Sequence, residues 1–303
     1  MMDSPEETPA PPCDAPRSEP AWTVGRLLAW TAGYLKRSGS DTPRLDAEVM
    51  LAFALAWERV KLYTHFDLEV DDQPRARFRE LVRNRAAGAP VAYLVGRKEF
   101  FSLAFEVRPD VLIPRPESEF VVVEFLECIR DRGPIRAVDV GTGSGCLAIA
   151  ALHHEPQTRF VAIDRCPRAL EVARANAVRH GVSDRIEFRE GDLLEPVQAD
   201  DPYDVILSNP PYIPTAHIEK LAPGVRDHEP RAALDGGADG LEIVTRLIEQ
   251  SIPLLRPGGR IILEIGFDQE QAVRKLLTRP EFQLSPTIRD LSLHPRVVHA
   301  LRV

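Results

Sequence analysis

The chain has 303 residues and a formal net charge of −8, a length that suits one full α/β domain plus a smaller one. The acidic balance does not favour a nucleic-acid groove, and no apolar run approaches the ~18 residues that span a bilayer. The four cysteines, Cys13, Cys128, Cys146 and Cys166, lack metal-type spacing and read as reduced thiols of a cytoplasmic protein.

Residues 1–20 hold six prolines and several acids but few large apolar residues, which predicts a disordered tail without a secretory signal. Thr23 to Lys36 has apolar residues at helical spacing and ends near Gly39. Thr42-Pro43 then offers an N-cap with proline at the first helical position. Leu45, Val49, Phe53 and Ala56 line one face of that second helix. A third helix runs from about Pro74 to Ala87 and stops at Gly88-Ala-Pro90. Residues 21–89 therefore read as a small helical bundle, too small to hold a cofactor site of its own. From 90 to 113 the pattern changes. Val91–Val95 and Phe100–Val107 read as a β-hairpin around a Gly96-Arg-Lys turn. Phe100 and Phe101 are either the wall of a pocket or ordinary strand hydrophobics. His153-His154 has no partner motif, so no metal site is expected. Residues 114–303 alternate strand and helix as far as Gly259–Gly266 and a helix on Gln269 to Thr278, and a last antiparallel pair lies between about Pro286 and Val303. This is the pattern of a doubly wound, mostly parallel α/β sheet.

Within that alternation, Ile135–Val140 is a buried-strand pattern followed at once by Gly141-Thr142-Gly143-Ser144-Gly145 and a helical run from Cys146. Glycines at a strand-to-helix turn let the backbone approach a ligand and aim helix N-terminal N–H groups at it. Cys146 stands where a dinucleotide fingerprint wants its third glycine or alanine, which argues against a pyrophosphate. The next strand, Arg159–Ile163, ends in Asp164, a carboxylate placed to accept hydrogen bonds from ribose hydroxyls. A third, Ile186–Glu190, ends in Gly191-Asp192-Leu193, suited to holding an adenine edge with Asp192 and its face with Leu193. Tyr203–Ser208 leads into Asn209-Pro210-Pro211-Tyr212. Two prolines fix φ twice and remove two N–H groups, so this stiff loop offers acceptors, the Asn209 side-chain oxygen and a nearby carbonyl. Two fixed acceptors suit a ligand NH2 group.

Asp139-Val-Gly-Thr-Gly-Ser-Gly145, Asp164, Asp192 and Asn209-Pro-Pro-Tyr212 together resemble a class I S-adenosylmethionine-dependent methyltransferase that acts on a planar nitrogen. Three further stretches resemble the HemK/PrmC family, the glutamine N5-methyltransferases of peptide-chain release factors: Gly96-Arg-Lys-Glu-Phe-Phe101, Leu112-Ile-Pro-Arg-Pro-Glu-Ser-Glu119, and Arg226 to Gly240 with its Glu229-Pro230 and Gly236-Gly237 pairs. The likeness runs from about Trp22 to the C-terminus. Ser118 departs from a usual threonine, His228 from an aromatic, Leu193 from an aromatic seen in some members, and Leu293–Arg296 from a glycine-containing turn.

The resemblance implies a Rossmann-like seven-stranded sheet and S-adenosyl-L-methionine as cofactor. Asp139 and Gly141–Gly145 would face its methionine part, Asp164 its ribose, Asp192 and Leu193 its adenine, with Asn209 alongside. Asn209 and the Pro210 carbonyl would accept the two N–H bonds of a glutamine amide, and Tyr212 would pack on it. Phe100, Phe101, Arg115 and Glu117 would form the substrate pocket. The implied partners are class I release factors, methylated on the glutamine of their Gly-Gly-Gln motif and gripped by residues 21–89, with no direct nucleic-acid or membrane contact. Adenine-N6 methylation of nucleic acid, glutamine methylation of a ribosomal protein, and non-catalytic cofactor binding are the alternatives.

Overall fold

The computed structural model describes residues 21–197 and 202–303; the disorder predicted for residues 1–20 lies outside the described residues. The chain divides into two compact units between Ala86 and Ala87, which groups the hairpin region with the C-terminal unit. The first unit contains α1 (Val24–Arg37), α2 (Pro43–Leu55), α3 (Lys61–Thr64) and α4 (Asp72–Ala86). Thr23 caps α1, its hydroxyl accepting the Arg26 N–H at 3.3 Å, and Lys36 and Arg37 complement the negative end of the helix.

In α2 the buried face differs from the one predicted. Ala47, Met50, Leu51 and Ala54 are buried, whereas Leu45 is 42% exposed and Ala56 also faces out. Both sets have helical spacing, so spacing alone does not choose the face, and the packing buries 47, 50, 51 and 54. Phe53 instead lies under the Arg77 guanidinium at 4.4 Å. Thr42 does not cap the backbone; its hydroxyl donates to Asp46 at 2.9 Å, beside Ser40 at 2.7 Å and Arg85 at 2.7 Å.

The second unit opens with α5 (Val91–Val95), β1 (Arg97–Phe100) and β2 (Leu103–Glu106). The predicted first strand of the hairpin is thus a helix. Pro90 enters it at φ −62°, and Gly96 leaves it at φ +69°, a left-handed C-cap that suits glycine. A five-residue apolar run carries no period that distinguishes the two structures. The hairpin turn falls instead on Phe101 and Ser102, both at positive φ.

There follow α6 (Glu119–Ile129), β3 (Ile135–Val140), α7 (Cys146–His154), β4 (Thr158–Asp164), α8 (Pro167–Arg179), β5 (Ile186–Glu190) and β6 (Tyr203–Ser208). Then come α9 (Pro223–Arg226), α10 (Glu242–Ser251), β7 (Leu255–Glu264), α11 (Glu270–Leu277), β8 (Phe282–Leu284), β9 (Ile288–Arg289) and β10 (Pro295–Arg302). Strand order across the sheet is β5-β4-β3-β6-β7-β10-β8, seven strands on one path, with β9 paired beside β10. β10 runs antiparallel to β7, β8 and β9, while β3 to β7 are parallel.

Every residue of β6 is buried, as expected of a strand covered on both faces. One apolar core gathers Phe125, Ile149 and Leu152 with the hairpin residues Phe100 and Phe105. The other packs Leu247, Ile248, Val273 and Leu277 from α10 and α11. Burying each such side chain contributes roughly 1.5–3 kcal/mol. The chain leaves β3 toward β4 on one side and later reaches β6 on the other. The carboxyl ends of β3 and β6 therefore flank the point where the winding reverses, the place where such sheets form a crevice. Among the described residues no helix is long and apolar enough to cross a membrane.

Candidate active site

Val140 pairs with Ile163 on one side and Ser208 on the other, so Gly141, Asp164 and Asn209 leave three adjacent strand ends. The N–H groups of Gly141 and Thr142 donate to the Ile163 carbonyl at 2.8 and 2.9 Å, folding the turn against β4. Gly141, Gly143 and Gly145 sit at φ of 70°, 55° and 81°, which glycine adopts without strain. Gly145 also permits helix packing, since a Cβ there would lie 2.7 Å from Ile149 Cδ1.

Asp139 is fully buried beneath this turn. Its Oδ2 accepts the Thr142 hydroxyl at 2.6 Å and the Ala148 N–H at 3.4 Å, while Oδ1 has no partner. Burial pushes the carboxyl up to about 7, against the pull of those two hydrogen bonds. Asp164 accepts the N–H of Gly143 on one oxygen and of Cys166 on the other, both at 2.9 Å. Burial raises its pKa and these N–H groups oppose the rise. Each carboxylate oxygen keeps a further lone pair for a hydroxyl donor.

The loop after β6 is anchored from more distant segments. Ser208 Oγ donates to the Val140 carbonyl at 2.7 Å, tying its root to that of the glycine turn. Asn209 Nδ2 donates to Ser118 Oγ at 3.0 Å. Gln269 closes the other end: its Nε2 donates to the Tyr212 and Gly240 carbonyls at 2.9 and 3.1 Å, and its Oε1 accepts the Gly266 N–H at 2.9 Å. Gly236 lies flat on the loop, for a Cβ there would stand 2.8 Å from both the Pro211 carbonyl oxygen and Tyr212 Cα. A Cβ on Gly240 would collide with the Tyr212 carbonyl.

At the end of β7, Glu264 is 1% exposed, with the Tyr212 hydroxyl 3.5 Å from its Oε1. Burial pushes its carboxyl up to about 7; the nearby Ser118 hydroxyl and the charge of Arg296 oppose this, and Glu117 adds to it. Burial, then the neighbouring Glu264, likewise raises the Tyr212 phenol. Arg115 forms an ion pair with the buried Glu229, whose other oxygen accepts the Ile113 N–H at 3.2 Å.

These loops enclose a cavity of about 880 Å³ whose wall includes Gly141, Thr142, Gly143, Ser144, Asp164, Asp192, Leu193, Asn209, Pro211 and Arg115. Ser144 Oγ on that wall is buried without a hydrogen-bond partner. Asp139, Gly145 and Pro210 lie outside the lining and support it from behind. Tyr212 lines a second recess of about 90 Å³ that shares Arg115 and Asn209 with the first.

Three expectations need correction. Phe100 and Phe101 wall neither space: Phe100 is 1% exposed in the core against Phe105, and Phe101 packs on that core with its ring 5.0 Å from His154. The apolar face of the hairpin packs on α6 and α7, where the Phe101 N–H donates to Glu119 at 2.9 Å. Glu117 lines neither space and acts on Glu264 and Arg296 as a neighbouring charge. Asp139 holds the glycine turn rather than the cavity wall. Asp192 does line the cavity, and its carboxylate is ion-paired with Arg246.

Several residues that position the site were missed: Gln269, Glu264, Asn176, and Ser118, which stood out only as a departure from a family pattern. Asn176 is fully buried in α8, accepting the Glu106 N–H at 2.7 Å and donating to the carbonyls of Glu106 at 3.0 Å and Ser144 at 2.9 Å. Its signal was a polar residue on the apolar face of a helix, and that of Glu264 an acid ending a run of buried aliphatics. Among the described residues no three His, Cys, Asp or Glu side chains gather as a metal site.

Residues 26–96 match the PrmC N-terminal domain and residues 123–222 the methyltransferase small domain. The chain is 41% identical over 283 residues to a protein of Rhodopirellula baltica, spanning 91% of this chain and 95% of that one. It is 42% identical over 279 residues to a protein of Geobacter sulfurreducens, spanning 91% and 96%. Both relatives carry the name release factor glutamine methyltransferase. A crystal structure of a methyltransferase from Pyrococcus furiosus superposes with a TM-score of 0.50 at 20% identity, over 75% of this chain and 98% of that one, a likeness of fold.

Proposed function

Because the chain belongs to the family of release factor glutamine methyltransferases, we propose that it methylates the side-chain nitrogen N5 of the glutamine in the Gly-Gly-Gln motif of class I peptide-chain release factors, using S-adenosyl-L-methionine. One observation carries this reading. Asn209, on a loop stiffened by two prolines, opens into the same cavity as the Gly141–Ser144 turn and Asp164. The residues present fit the cofactor. The cavity is of ligand size, Asp164 keeps free lone pairs for ribose hydroxyls, and Ser144 Oγ is a buried polar atom without a protein partner.

When bound, the cofactor supplies a methyl group activated on a sulfonium. A glutamine amide is a poor nucleophile because its lone pair is delocalised into the carbonyl. The task of the protein is therefore alignment, and well-oriented reactants can gain ~7–11 kcal/mol from it. With its Nδ2 directed at Ser118, Asn209 has Oδ1 left to accept one substrate N–H. In this loop the Tyr212 carbonyl is occupied by Gln269 and the Pro211 carbonyl is covered by Gly236; the second acceptor in this reading is the Pro210 carbonyl, although Pro210 itself does not line the cavity. Acceptors on both N–H bonds favour electron density on the nitrogen as it is attacked, so they strengthen toward the transition state. Tyr212 packs on the flat amide from the recess it shares with Arg115, and Asp192 with Leu193 borders the adenine.

In this reading residues 21–89 bind the release factor, residues 90–113 connect, residues 114–303 carry out the transfer, and the protein works in the cytoplasm. The test is incubation with labelled S-adenosylmethionine and, separately, a purified class I release factor, ribosomal protein and DNA. Label should enter the release-factor glutamine; label in DNA with none in the release factor would overturn the reading. Removing residues 1–86 should lower methylation of intact release factor far more than that of a Gly-Gly-Gln peptide, provided the shortened chain still binds cofactor. Equal losses would make the helical unit a structural cap.

A further inference from the structure

Six residues other than glycine stand at positive φ among the described residues, and Leu193, at φ 51°, is the one that lines the cavity. A leucine in the left-handed region carries backbone strain, which persists only where the surrounding structure enforces it. The enforcing element is α10. Gln250 Oε1 accepts the Leu194 N–H at 2.9 Å, and the Arg246 guanidinium is ion-paired with Asp192 Oδ2. Arg246 and Gln250 are four residues apart in α10, so they share one face of the helix. They hold the residues immediately before and after Leu193. The turn itself adds one bond, from the Glu195 N–H to the Asp192 carbonyl at 3.2 Å. Leu194 is 2% exposed, so its N–H has no ready exchange for Gln250 in solvent.

The helix is a firm support. Val244, Leu247 and Ile248 are buried in the core on which Leu193 also packs. The first turn of α10 is pinned by Glu242, whose N–H donates to the Gly236 carbonyl and whose Oε1 accepts the Ala238 N–H, both at 3.1 Å.

We propose that Arg246 and Gln250 are positioning residues for purine recognition: from α10 they hold the Asp192-Leu193 turn in the strained shape that presents a carboxylate and an apolar side chain to the adenine of S-adenosylmethionine. With Oδ2 taken by Arg246, Asp192 has Oδ1 for a ligand donor, and the exocyclic amine of adenine is such a donor. The site therefore distinguishes adenine from a purine lacking that amine only while the turn keeps its shape. The two residues differ in weight. The Arg246–Asp192 pair is exposed at both ends, 44% and 39%, so it orients the carboxylate but contributes little energy by itself. Gln250 satisfies a buried N–H, and its loss should cost more.

The inference rests on Asp192 and Leu193 bordering the adenine, and the experiment separates the two claims. Calorimetry measures the affinity of the full chain for S-adenosylhomocysteine and for its analogue with hydrogen in place of the exocyclic amine, in wild type, D192A, Q250A, Q250E and R246M. Wild type should prefer the amine form roughly 10-fold or more, the weight of one hydrogen bond to a charged group. Q250A should weaken S-adenosylhomocysteine roughly 10-fold and shrink the preference to about 2-fold. R246M should lower the preference about 3-fold. Q250E keeps an acceptor for the Leu194 N–H and should return the preference to within about 2-fold of wild type. In turnover, the Q250A loss should fall on the KM for S-adenosylmethionine far more than on kcat. No preference in wild type, or an undiminished one in D192A, would overturn the adenine assignment. A preference lost in D192A but intact in both Q250A and R246M would overturn the clamp alone, as would a Q250E no better than Q250A. A preference intact in one of the two variants would remove that residue from the clamp. Should Q250A fail to fold, R246M, at an exposed position, decides the matter beside D192A.

Discussion

The glycine turn after β3 and the Asn209 loop after β6 leave neighbouring strands and share one cavity, yet they are held in different ways. The turn takes its partners from a single β-α-β unit: Thr142 and Ala148 on Asp139, the Ile163 carbonyl, and Asp164 on Gly143. The loop has no N–H at Pro210 or Pro211, and it is fixed by Ser118, Gly236, Gly240 and Gln269, from segments far apart in the chain. Holding the methionine and ribose parts of the cofactor is thus a local property of the fold, while substrate alignment depends on several regions meeting. Substitutions around the turn should act on cofactor affinity. Those around the loop should act on turnover.

The sharpest way to break this contrast is N209A. Removing an acceptor that strengthens in the transition state should cost ~10²-fold or more in kcat, with cofactor affinity near normal by calorimetry. A matching loss of affinity would mean that the two halves are not independent. G236A follows. Its Cβ would meet only backbone atoms of the loop and of Gly240, so the loop itself must shift. A displacement of this kind should lower kcat by ~10–10²-fold with little change in cofactor affinity, and wild-type turnover would show the glycine to be dispensable. D164A tests the other half. Loss of charge-assisted hydrogen bonds should weaken S-adenosylmethionine binding by ~1.5–3 kcal/mol, and saturating cofactor should restore most of kcat. An unchanged affinity would remove Asp164 from the ribose site.

The smallest effect concerns stability. The pKa of Glu264 is raised from 4.5 to about 7 on folding, so the folded chain keeps a proton that the unfolded chain releases. Its contribution therefore falls as pH rises from about 4.5 to about 7 and stays low above. E264Q should melt higher than wild type in mildly alkaline buffer, and the gap should narrow toward pH 5. A gap that does not change with pH would show that Glu264 titrates normally.

How much could be read beforehand follows the same division. The strands were legible because a strand buried on both faces is a near-continuous apolar run, as in Tyr203–Ser208, and the glycine turn because its backbone demands are met by one short stretch. Asn209 was legible from its prolines. Gln269 was not, because an amide opening a surface helix looks like any N-terminal polar residue until three backbone groups converge on it. Phe100 and Phe101 were ambiguous because an aromatic pair in a hairpin fits a pocket wall or a core equally well, and only the packing of α6 and α7 decides. In α2 two faces carry apolar residues at helical spacing, Leu45–Val49–Phe53–Ala56 and Ala47–Met50–Leu51–Ala54, and only the packing of the bundle decides between them. The Arg246 partner of Asp192 lies on α10, beyond the reach of a strand-end argument.

The central claim is that the Asn209 loop presents a glutamine amide for methylation. Its most direct test is mass spectrometry of an intact class I release factor after incubation with S-adenosylmethionine and either the wild-type chain or N209A. A gain of one methyl group on the side chain of the Gly-Gly-Gln glutamine with wild type, and none with N209A, is the predicted result. Methyl on another residue, or the same gain with N209A, would contradict the account.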